Sequence, residues 1–282
     1  MTAIPASAIS APPMPSFLSY ARSRTRIELK TFVRNPQQMF FTFSLPVMLL
    51  VLFSAVFGNE DLGGPPGQEK VRFAQYFLPG IIASGIMSTT FLNVASAVSL
   101  SQHEGLLKRL SGTPLPRSAY FTGKLVAAAG ITVIQTALML GVGLLAYDSQ
   151  LPADAGRWAA FAVMLLAGAG TGCLLGLAYT RLIPNANSAP AIIQPPFLIL
   201  QFISGVYFRW QDLPSWLQGV ASVFPLRWIA EGLRYAFLPD WFGEGEYGTA
   251  TWGWQWPTAV LLGWLVLAFI LARIFFKWDR TQ

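Results

Sequence analysis

The chain has 282 residues, of which 54% are hydrophobic and 11% are charged, and its formal net charge is +6 at pH 7. Soluble domains carry about 25% charged residues, so this composition excludes a soluble globular protein and indicates an integral membrane protein. Cys173 and His103 are the single cysteine and the single histidine, which excludes a disulfide within the chain and predicts that it holds no metal.

The N-terminal part of the chain divides into two segments. Residues 1–16 consist largely of small residues and proline, which cannot bury a core, so we expect a disordered tail that is not a cleaved signal peptide. Residues 17–35 place apolar side chains on a narrow helical stripe, beside basic side chains that recur every four positions. This pattern predicts an amphipathic helix in the headgroup layer of the membrane; a basic anchor that only fixes the topology is the alternative. The stripe comprises Leu18, Ala21, Thr25, Leu29 and Phe32, and the basic series comprises Arg22, Arg26, Lys30 and Arg34.

Residues 36–278 contain six charge-poor segments that are long enough to cross about 30 Å of hydrocarbon. They run approximately over residues 40–57, 77–100, 119–146, 158–179, 191–208 and 256–276. Pro195 and Pro196 interrupt the fifth segment, which predicts a bent or partly unwound helix there. Lys124 and Arg273 lie near segment ends, where we expect their side chains to reach the headgroups. The predicted fold is therefore an all-α membrane domain with six transmembrane helices.

The basic residues are distributed unevenly between the two sides of this arrangement. With both termini on the inner side, 13 of the 19 lysines and arginines fall on that side. The positive-inside rule therefore favours this orientation. The segment from Gly58 to Arg72, which is rich in glycine and proline, is then a flexible outer connection.

The loop at residues 101–117 joins the second and third predicted spans and has the pattern of a very short helix. Its apolar side consists of Leu106, Leu107 and Leu110, and its charged side consists of Glu104, Lys108 and Arg109. Pro114 and Pro116 end the predicted helix. So short a helix is not stable alone and needs either the membrane surface or a partner. We expect the three leucines to enter an apolar groove of a partner protein, while the charges form pairs at the rim of that groove; a basic loop that only fixes the topology is the alternative.

The outer segment at residues 209–255 has the spacing of two short helices that are separated at Pro225. We expect Asp212 to cap the first helix. The second helix places three charged residues on its polar side, where they can form ion pairs: Arg227, Glu231 and Arg234. The apolar sides would dip into the outer leaflet, which makes the segment a helical re-entrant region before the last span. An interfacial aromatic belt follows, with Trp241, Trp252, Trp254 and Trp256.

Neutral polar residues lie at helical spacing within the second and fifth predicted spans. Such groups either hydrogen-bond to neighbouring helices or line a cavity, and the spacing leaves both interpretations open. With two aromatic residues of the fifth span they form the candidate substrate path: Thr89, Asn93, Ser96, Gln194, Phe197, Gln201 and Phe202. The fourth span contains a ridge that allows close helix packing, formed by Gly168, Gly172 and Gly176.

Sequence motifs for ATP binding and for catalysis are absent from the chain. Gly123-Lys124 is followed by Leu125 in place of serine or threonine, and no glycine lies five residues before Gly123, so the P-loop pattern fails. The predicted spans have no acidic residue in their cores, whereas an intramembrane enzyme needs ionisable groups at depth. We therefore expect a protein that is not an enzyme and that binds no cofactor itself.

Taken in chain order, these features resemble the permeases of the ABC-2 exporter family, which are membrane subunits of bacterial exporters of drugs, antibiotics, lipids or polysaccharides. The inner loop of that family has an acidic residue followed by Gly, Thr, Leu, two charged residues, Leu and, a few positions later, Pro. The corresponding residues are Glu104, Gly105, Leu106, Leu107, Lys108, Arg109, Leu110 and Pro114, with Leu106 in place of the family's threonine. Residues 212–217 and 224–226 also resemble the family's outer segment.

The resemblance implies a homodimer, or a pair with a similar permease, bound to two separate ABC ATPase subunits that hold ATP and magnesium. It implies that residues 103–110, beginning with His103, form the coupling helix on which these subunits push. The expected location is a bacterial inner membrane, crossed several times, with both termini in the cytoplasm and no nucleic acid among the partners. The expected substrate is a hydrophobic or amphipathic compound such as a drug, an antibiotic or a lipid-like molecule. A polysaccharide or glycolipid exporter is the alternative, followed by a membrane-embedded enzyme or a scaffold.

Overall fold

The computed structural model describes residues 16–57, 62, 70–243 and 253–276. The predictions for residues 1–15, for most of the connection at 58–72, for 244–252 with Trp252, and for the chain after residue 276 lie outside the described residues. Within the described residues the α-helices are α1 (Phe17–Val33), α2 (Pro36–Phe57), α3 (Phe73–Met87), α4 (Asn93–His103), α5 (Leu106–Ser111), α6 (Arg117–Tyr147), α7 (Ala155–Tyr179), α8 (Ala189–Ile203), α9 (Ser215–Ser222), α10 (Pro225–Phe237) and α11 (Gln255–Phe275). This helical architecture agrees with the predicted fold class.

The α1 helix packs along α6 and is followed at once by α2. The Ser16 side chain caps α1 by accepting a hydrogen bond from the backbone N–H of Ser19 at 3.4 Å. At the start of α2 the Asn35 side chain accepts one from the backbone N–H of Gln38 at 3.1 Å. Pro36 is the first residue of α2, where its missing N–H costs no helical hydrogen bond. α1 therefore ends at Val33, and α2 begins at Pro36.

Within the part of the chain that the structure describes, five helical stretches are long and apolar enough to cross a membrane. They are Pro36–Phe57, Phe73–His103, Arg117–Tyr147, Ala155–Leu182 and Gln255–Phe275, and they correspond to five of the six predicted spans. The predicted fifth span differs, because α8 has 15 residues. At the helical rise α8 is about 22 Å long, which is shorter than the hydrocarbon core. The helix continues through Pro195 and Pro196 and ends at Ile203, so a sixth crossing stays a prediction.

The second span is not a regular α-helix throughout. A π-helical turn at Ser88–Leu92 joins α3 to α4, and within it the Thr90 hydroxyl donates to the backbone carbonyl of Ile86 at 2.6 Å. Gly176 of α7 lies against this turn, so closely that a Cβ at this position would stand 2.8 Å from the Phe91 carbonyl oxygen. Hydrophobic periodicity did not predict the π turn, a feature that often occurs at functional sites.

The outer segment forms two short helices, α9 and α10, and α10 begins at Pro225 as predicted. α10 does not present an apolar side to the lipid, because it packs against α3, α7 and α11 and its charged residues are buried together with its apolar ones. Asp212 does not cap α9, which begins after Pro214. Its carboxylate pairs instead with the Arg209 guanidinium at 2.9 Å, because that cation lies one turn away in the preceding connection.

Candidate coupling helix and transmembrane cavity

The loop between the second and third spans contains α5 as a separate short helix. α4 ends at His103, and Gly105 adopts a left-handed conformation with φ +68° before α5 begins at Leu106. Nothing lies within 4 Å of a Cβ placed on Gly105, so the backbone conformation, rather than a lack of space, favours glycine here. The Arg109 guanidinium donates to the Glu104 carbonyl oxygen at 2.9 Å and closes this turn.

One side of α5 lies against its own chain and the other side is open. Leu107 is 0% exposed, whereas Leu106 and Leu110 are half-buried. The charged residues and the following proline are exposed, namely His103, Glu104, Lys108, Arg109 and Pro114. Leu107 is therefore packed against its own chain and is not open to a partner, in contrast to the prediction that all three leucines enter a partner's groove. The surface that a partner can reach consists of Leu106, Leu110 and the charged side chains.

A buried charged cluster joins α1 to the first turns of α6, a few residues after α5. Lys124 Nζ lies 2.9 Å from Glu28 Oε2. The Arg24 guanidinium pairs with the same carboxylate and lies 4.6 Å from the centroid of the Tyr120 ring. Burial by itself raises the pKa of Glu28, but the positive charges of Lys124 and Arg24 outweigh burial and hold this pKa below 4.5.

The position of Lys124 corrects a prediction. Its side chain does not reach the headgroups, since the residue is only 6% exposed. The carboxylate that α1 brings to it compensates the cost of burying the ammonium group. Glu28 is the only acidic residue in α1. A single acidic residue on an otherwise basic helix is the feature of the sequence that could have indicated a buried partner for Lys124.

The polar residues of the second span hydrogen-bond to neighbouring helices. The Thr89 hydroxyl donates to the side-chain oxygen of Gln135 in α6, and the Gln135 amide donates to the Thr42 carbonyl oxygen in α2 at 3.1 Å. The Asn93 amide donates to the Thr42 hydroxyl at 3.4 Å, and Ser96 is half-buried. These contacts favour the helix-packing interpretation for Thr89 and Asn93. Sequence reasoning missed Gln135, which lies at the centre of this network.

The predicted path residues of α8 lie in two different surroundings. The buried Gln201 amide donates to the Ser84 hydroxyl in α3, and the Gln201 side-chain oxygen accepts from the Tyr207 hydroxyl at 3.1 Å. Gln194 and Phe202 are exposed. Gln201 therefore ties α8 to α3, whereas Gln194 and Phe202 lie on a surface that lipid or a second chain can reach.

A cavity of about 450 Å³ lies between the π turn, α7, α8 and α11. Its wall is almost entirely apolar and includes Met87, Phe91, Tyr179, Phe197, Leu200 and Trp264. Of the predicted path residues, all of which the structure describes, Phe197 is the one that lines it. The centroid of the Phe91 ring lies 6.4 Å from that of Phe197 and 5.3 Å from that of Tyr179. An aromatic cavity of this size can hold a small apolar ligand.

The glycine ridge of α7 packs inside the same chain. A Cβ at Gly168 would lie 2.9 Å from Ile229 Cδ1 in α10, and a Cβ at Gly172 would collide with the Thr90 hydroxyl in the π turn. Gly176 approaches the same turn. The ridge therefore lets α7 approach α10 and the π turn closely enough to close one wall of the cavity.

Charged residues of α10 are buried within the bundle, which sequence reasoning did not anticipate. Arg227 pairs with Glu231, as predicted, and its guanidinium lies 3.8 Å from the centroid of the Trp210 ring. The Arg234 guanidinium donates to the Gly205 carbonyl oxygen in the connection after α8. These residues do form the polar side of α10 that the spacing predicted, but aromatic rings and a carbonyl oxygen of that connection cover Arg227 and Arg234.

Comparison with known proteins places these features in a family. Residues 22–238, from within α1 to just after α10, match the family described as ABC-2 type transporter. The inner membrane transport permease YadH of Escherichia coli (strain K12) is 23% identical over 200 residues, which cover 68% of this chain and 74% of that protein. The probable multidrug ABC transporter permease YbhR of the same strain is 24% identical over 199 residues, which cover 68% of this chain and 50% of that protein. The putative transport permease ycf38 of Porphyra purpurea is 25% identical over 222 residues, which cover 78% of this chain and 75% of that protein.

Proposed function

The chain belongs to the ABC-2 type transporter family, and from this premise we propose that it is the membrane-spanning permease subunit of an ATP-driven exporter. The family implies partnership with an ABC ATPase, and in the proposal ATP and magnesium are held by two copies of that partner. The proposed location is a bacterial inner membrane, in line with the name of the relative YadH, an inner membrane transport permease. The observation that carries the proposal is α5, a short helix that packs on α4, with exposed charged side chains and with Leu107 buried in its own chain.

The open side of α5 is suited to binding the ATPase. Leu106 and Leu110 offer an apolar contact beside Lys108 and Arg109, and exposed charges at such a contact add specificity more than affinity. Because Leu107 is packed into the chain, a push on α5 passes to α4 rather than being absorbed by the loop. α4 begins at the π turn, which forms one wall of the cavity. Motion of the ATPase would thereby change the shape of the cavity.

The cavity supports a hydrophobic or amphipathic substrate, such as a drug, an antibiotic or a lipid-like compound. Its volume of about 450 Å³ suits a small molecule. Its aromatic wall offers dispersion contacts and few hydrogen-bonding groups, which a sugar polymer would need. The name of the relative YbhR, a probable multidrug ABC transporter permease, is in line with this choice.

A second copy of the chain completes the proposal. Gln194 is exposed on α8, and an amide in hydrocarbon lacks the hydrogen-bond partners that a helix of another chain supplies. The exposed Phe202 lies on the same helix. We place α8 at the contact between the two copies of a homodimer, with both termini in the cytoplasm as the distribution of basic residues favours.

The test is reconstitution in proteoliposomes with an ABC ATPase encoded near the gene for this chain. We expect the two proteins to copurify, and we expect apolar dyes or drugs to stimulate ATP hydrolysis and to be exported. The matched control is the same complex with the P-loop lysine of the ATPase replaced. An ATPase that does not copurify, or a complex that sugars stimulate and apolar compounds do not, would contradict the proposal.

A further inference from the structure

An open groove runs along the bundle on the side of α7 that faces away from the cavity. It consists of two adjoining crevices of about 470 Å³ and 520 Å³. α7 forms the floor, and α6 and α11 form the walls. The two crevices share their central lining, which consists of Phe121, Thr122, Leu174, Leu177 and Phe269. We call this feature the α6–α11 groove.

The two ends of the α6–α11 groove differ in chemistry. At the end near α5 the rim carries Arg117 and Arg273, and both side chains are exposed. At the other end the lining is mostly apolar, with Leu265 and Gly170, and its one charged residue among those described is the buried Lys124, whose ammonium group pairs with Glu28. No acidic residue among those that the structure describes lines either crevice. The groove therefore combines an apolar channel with a positively charged mouth.

The length of the α6–α11 groove matches one leaflet of a bilayer. Arg117 and Leu125 are eight residues apart on α6, and Arg273 and Leu265 are eight residues apart on α11, so each wall rises about 12 Å along its helix. Half of the hydrocarbon core of a bilayer is about 15 Å. Arginines at one end of such a groove stand at the depth of the lipid headgroups, while its apolar part lies at the depth of the acyl chains.

We propose that the α6–α11 groove binds an anionic phospholipid, with its phosphate between Arg117 and Arg273 and an acyl chain along α7. The guanidinium group is a planar donor that matches the geometry of phosphate, and basic pockets between membrane helices bind anionic headgroups. A zwitterionic lipid would bring a cation next to two arginines, which disfavours it. A second copy of the chain is the poorer occupant, since a whole helix does not enter crevices of this size.

The inference does not depend on the proposed function. The lipid would bridge the first residue of α6, which directly follows the α5 loop, and the last turn of α11. Direct contact between α6 and α11 is sparse, whereas each packs on α7. A lipid in this position would therefore act as the missing contact between two spans.

The experiment measures lipid retention by native mass spectrometry, using purified full-length protein equilibrated with equal amounts of phosphatidylglycerol and phosphatidylcholine of the same chain length. We expect the wild type to retain phosphatidylglycerol preferentially. Arg117→Gln combined with Arg273→Gln should reduce that preference about tenfold. The matched control is Arg22→Gln combined with Arg26→Gln, which removes two exposed charges from α1 and should leave the preference unchanged.

Two further variants distinguish the contribution of the lipid headgroup from that of the acyl chain. Arg117→Lys combined with Arg273→Lys keeps the charge and should keep most of the preference, which also shows that the site tolerates substitution. Leu174→Trp fills the centre of the groove with both arginines intact and should reduce retention of both lipids. Equal retention of the two lipids by the wild type, an unchanged preference in the double glutamine variant, or full retention in Leu174→Trp would each overturn the proposal.

Discussion

Lys124 Nζ and Glu28 Oε2 lie 2.9 Å apart across the contact between α1 and α6. Arg24 pairs with the same carboxylate, so Glu28 is the one anion between two buried cations. The contact makes the N-terminal helix a packed part of the membrane domain, and it lies close to the point where the α5 loop enters α6.

The first prediction is that Glu28→Gln destabilises the protein more than Lys124→Met. Loss of the carboxylate leaves Arg24 and Lys124 as two buried cations without the anion that they share, and removing one partner of a buried pair costs about 3–5 kcal/mol. Loss of the lysine leaves a balanced pair of Arg24 and Glu28. Thermal denaturation of the purified variants measures the difference, and equal melting temperatures for both would contradict the assigned role of Glu28.

The second prediction concerns pH. The folded-state pKa of Glu28 lies below its ordinary value of 4.5, so the stabilisation by this carboxylate is fully present above pH 4.5 and is lost as the pH falls through the folded-state pKa. The melting-temperature difference between the wild type and Glu28→Gln should therefore be constant near neutral pH and shrink below pH 4.5. A difference that stays constant down to the lowest pH at which the protein is soluble would show that Glu28 is not held ionised.

The sequence predicted most helices because their signals are local. The length of the apolar segments is enough to predict the five helices that can span a membrane. Pro36 and Pro225 mark helix starts, because proline is favoured in the first turn and has no backbone N–H to donate. The length of α8 and the π turn escaped prediction because packing decides them. Gly172 and Gly176 of α7 pack against the π turn. Because this contact comes from another helix, the residue pattern within the second span could not predict it.

The candidate site was predicted only in part, for the same reason. Charge and spacing indicated α5 and its exposed residues, but not that Leu107 is buried in its own chain. Lys124 lies near the end of a predicted span, and such a position usually lets a lysine side chain reach the headgroups. Its actual partner, Glu28, is 96 residues away in the sequence, so the local pattern could not predict the contact. Thr89 and Gln201 looked equally suited to a cavity and to helix packing until their partners in α6 and α3 were seen.

The third prediction is that Gly105→Ala disturbs the turn between α4 and α5. Its φ of +68° is unfavourable for a residue with a Cβ by about 1 kcal/mol. We expect weaker coupling between ATP hydrolysis and transport, with little change in global stability. Gly112→Ala is the matched control, since Gly112 has a φ of −83° and accepts alanine without strain. Equal coupling ratios in the two variants would show that the turn at Gly105 does not transmit motion.

The fourth prediction separates the two kinds of leucine in α5. Leu107→Ala removes a buried anchor, and truncation of a buried leucine costs about 2–5 kcal/mol, so the melting temperature and the coupling should both fall. Leu110→Ala changes a half-buried residue on the open side and should weaken copurification of the ATPase without lowering the melting temperature as far. If both variants bind the ATPase and melt like the wild type, α5 is only a basic loop that fixes the topology.

The last prediction tests whether the cavity holds the substrate. Leu200 lines the cavity from α8, and Leu200→Trp adds an indole that occupies part of its volume of about 450 Å³. Stimulation of ATP hydrolysis by apolar substrates should fall, because the ligand and the new ring compete for the same space. Leu166→Trp is the control, since Leu166 lies in α7, which also borders the cavity, but is 63% exposed and does not line it. Stimulation that is equal in the two variants would place the substrate outside this cavity, and the proposed contact between two copies of α8 would become the next site to test.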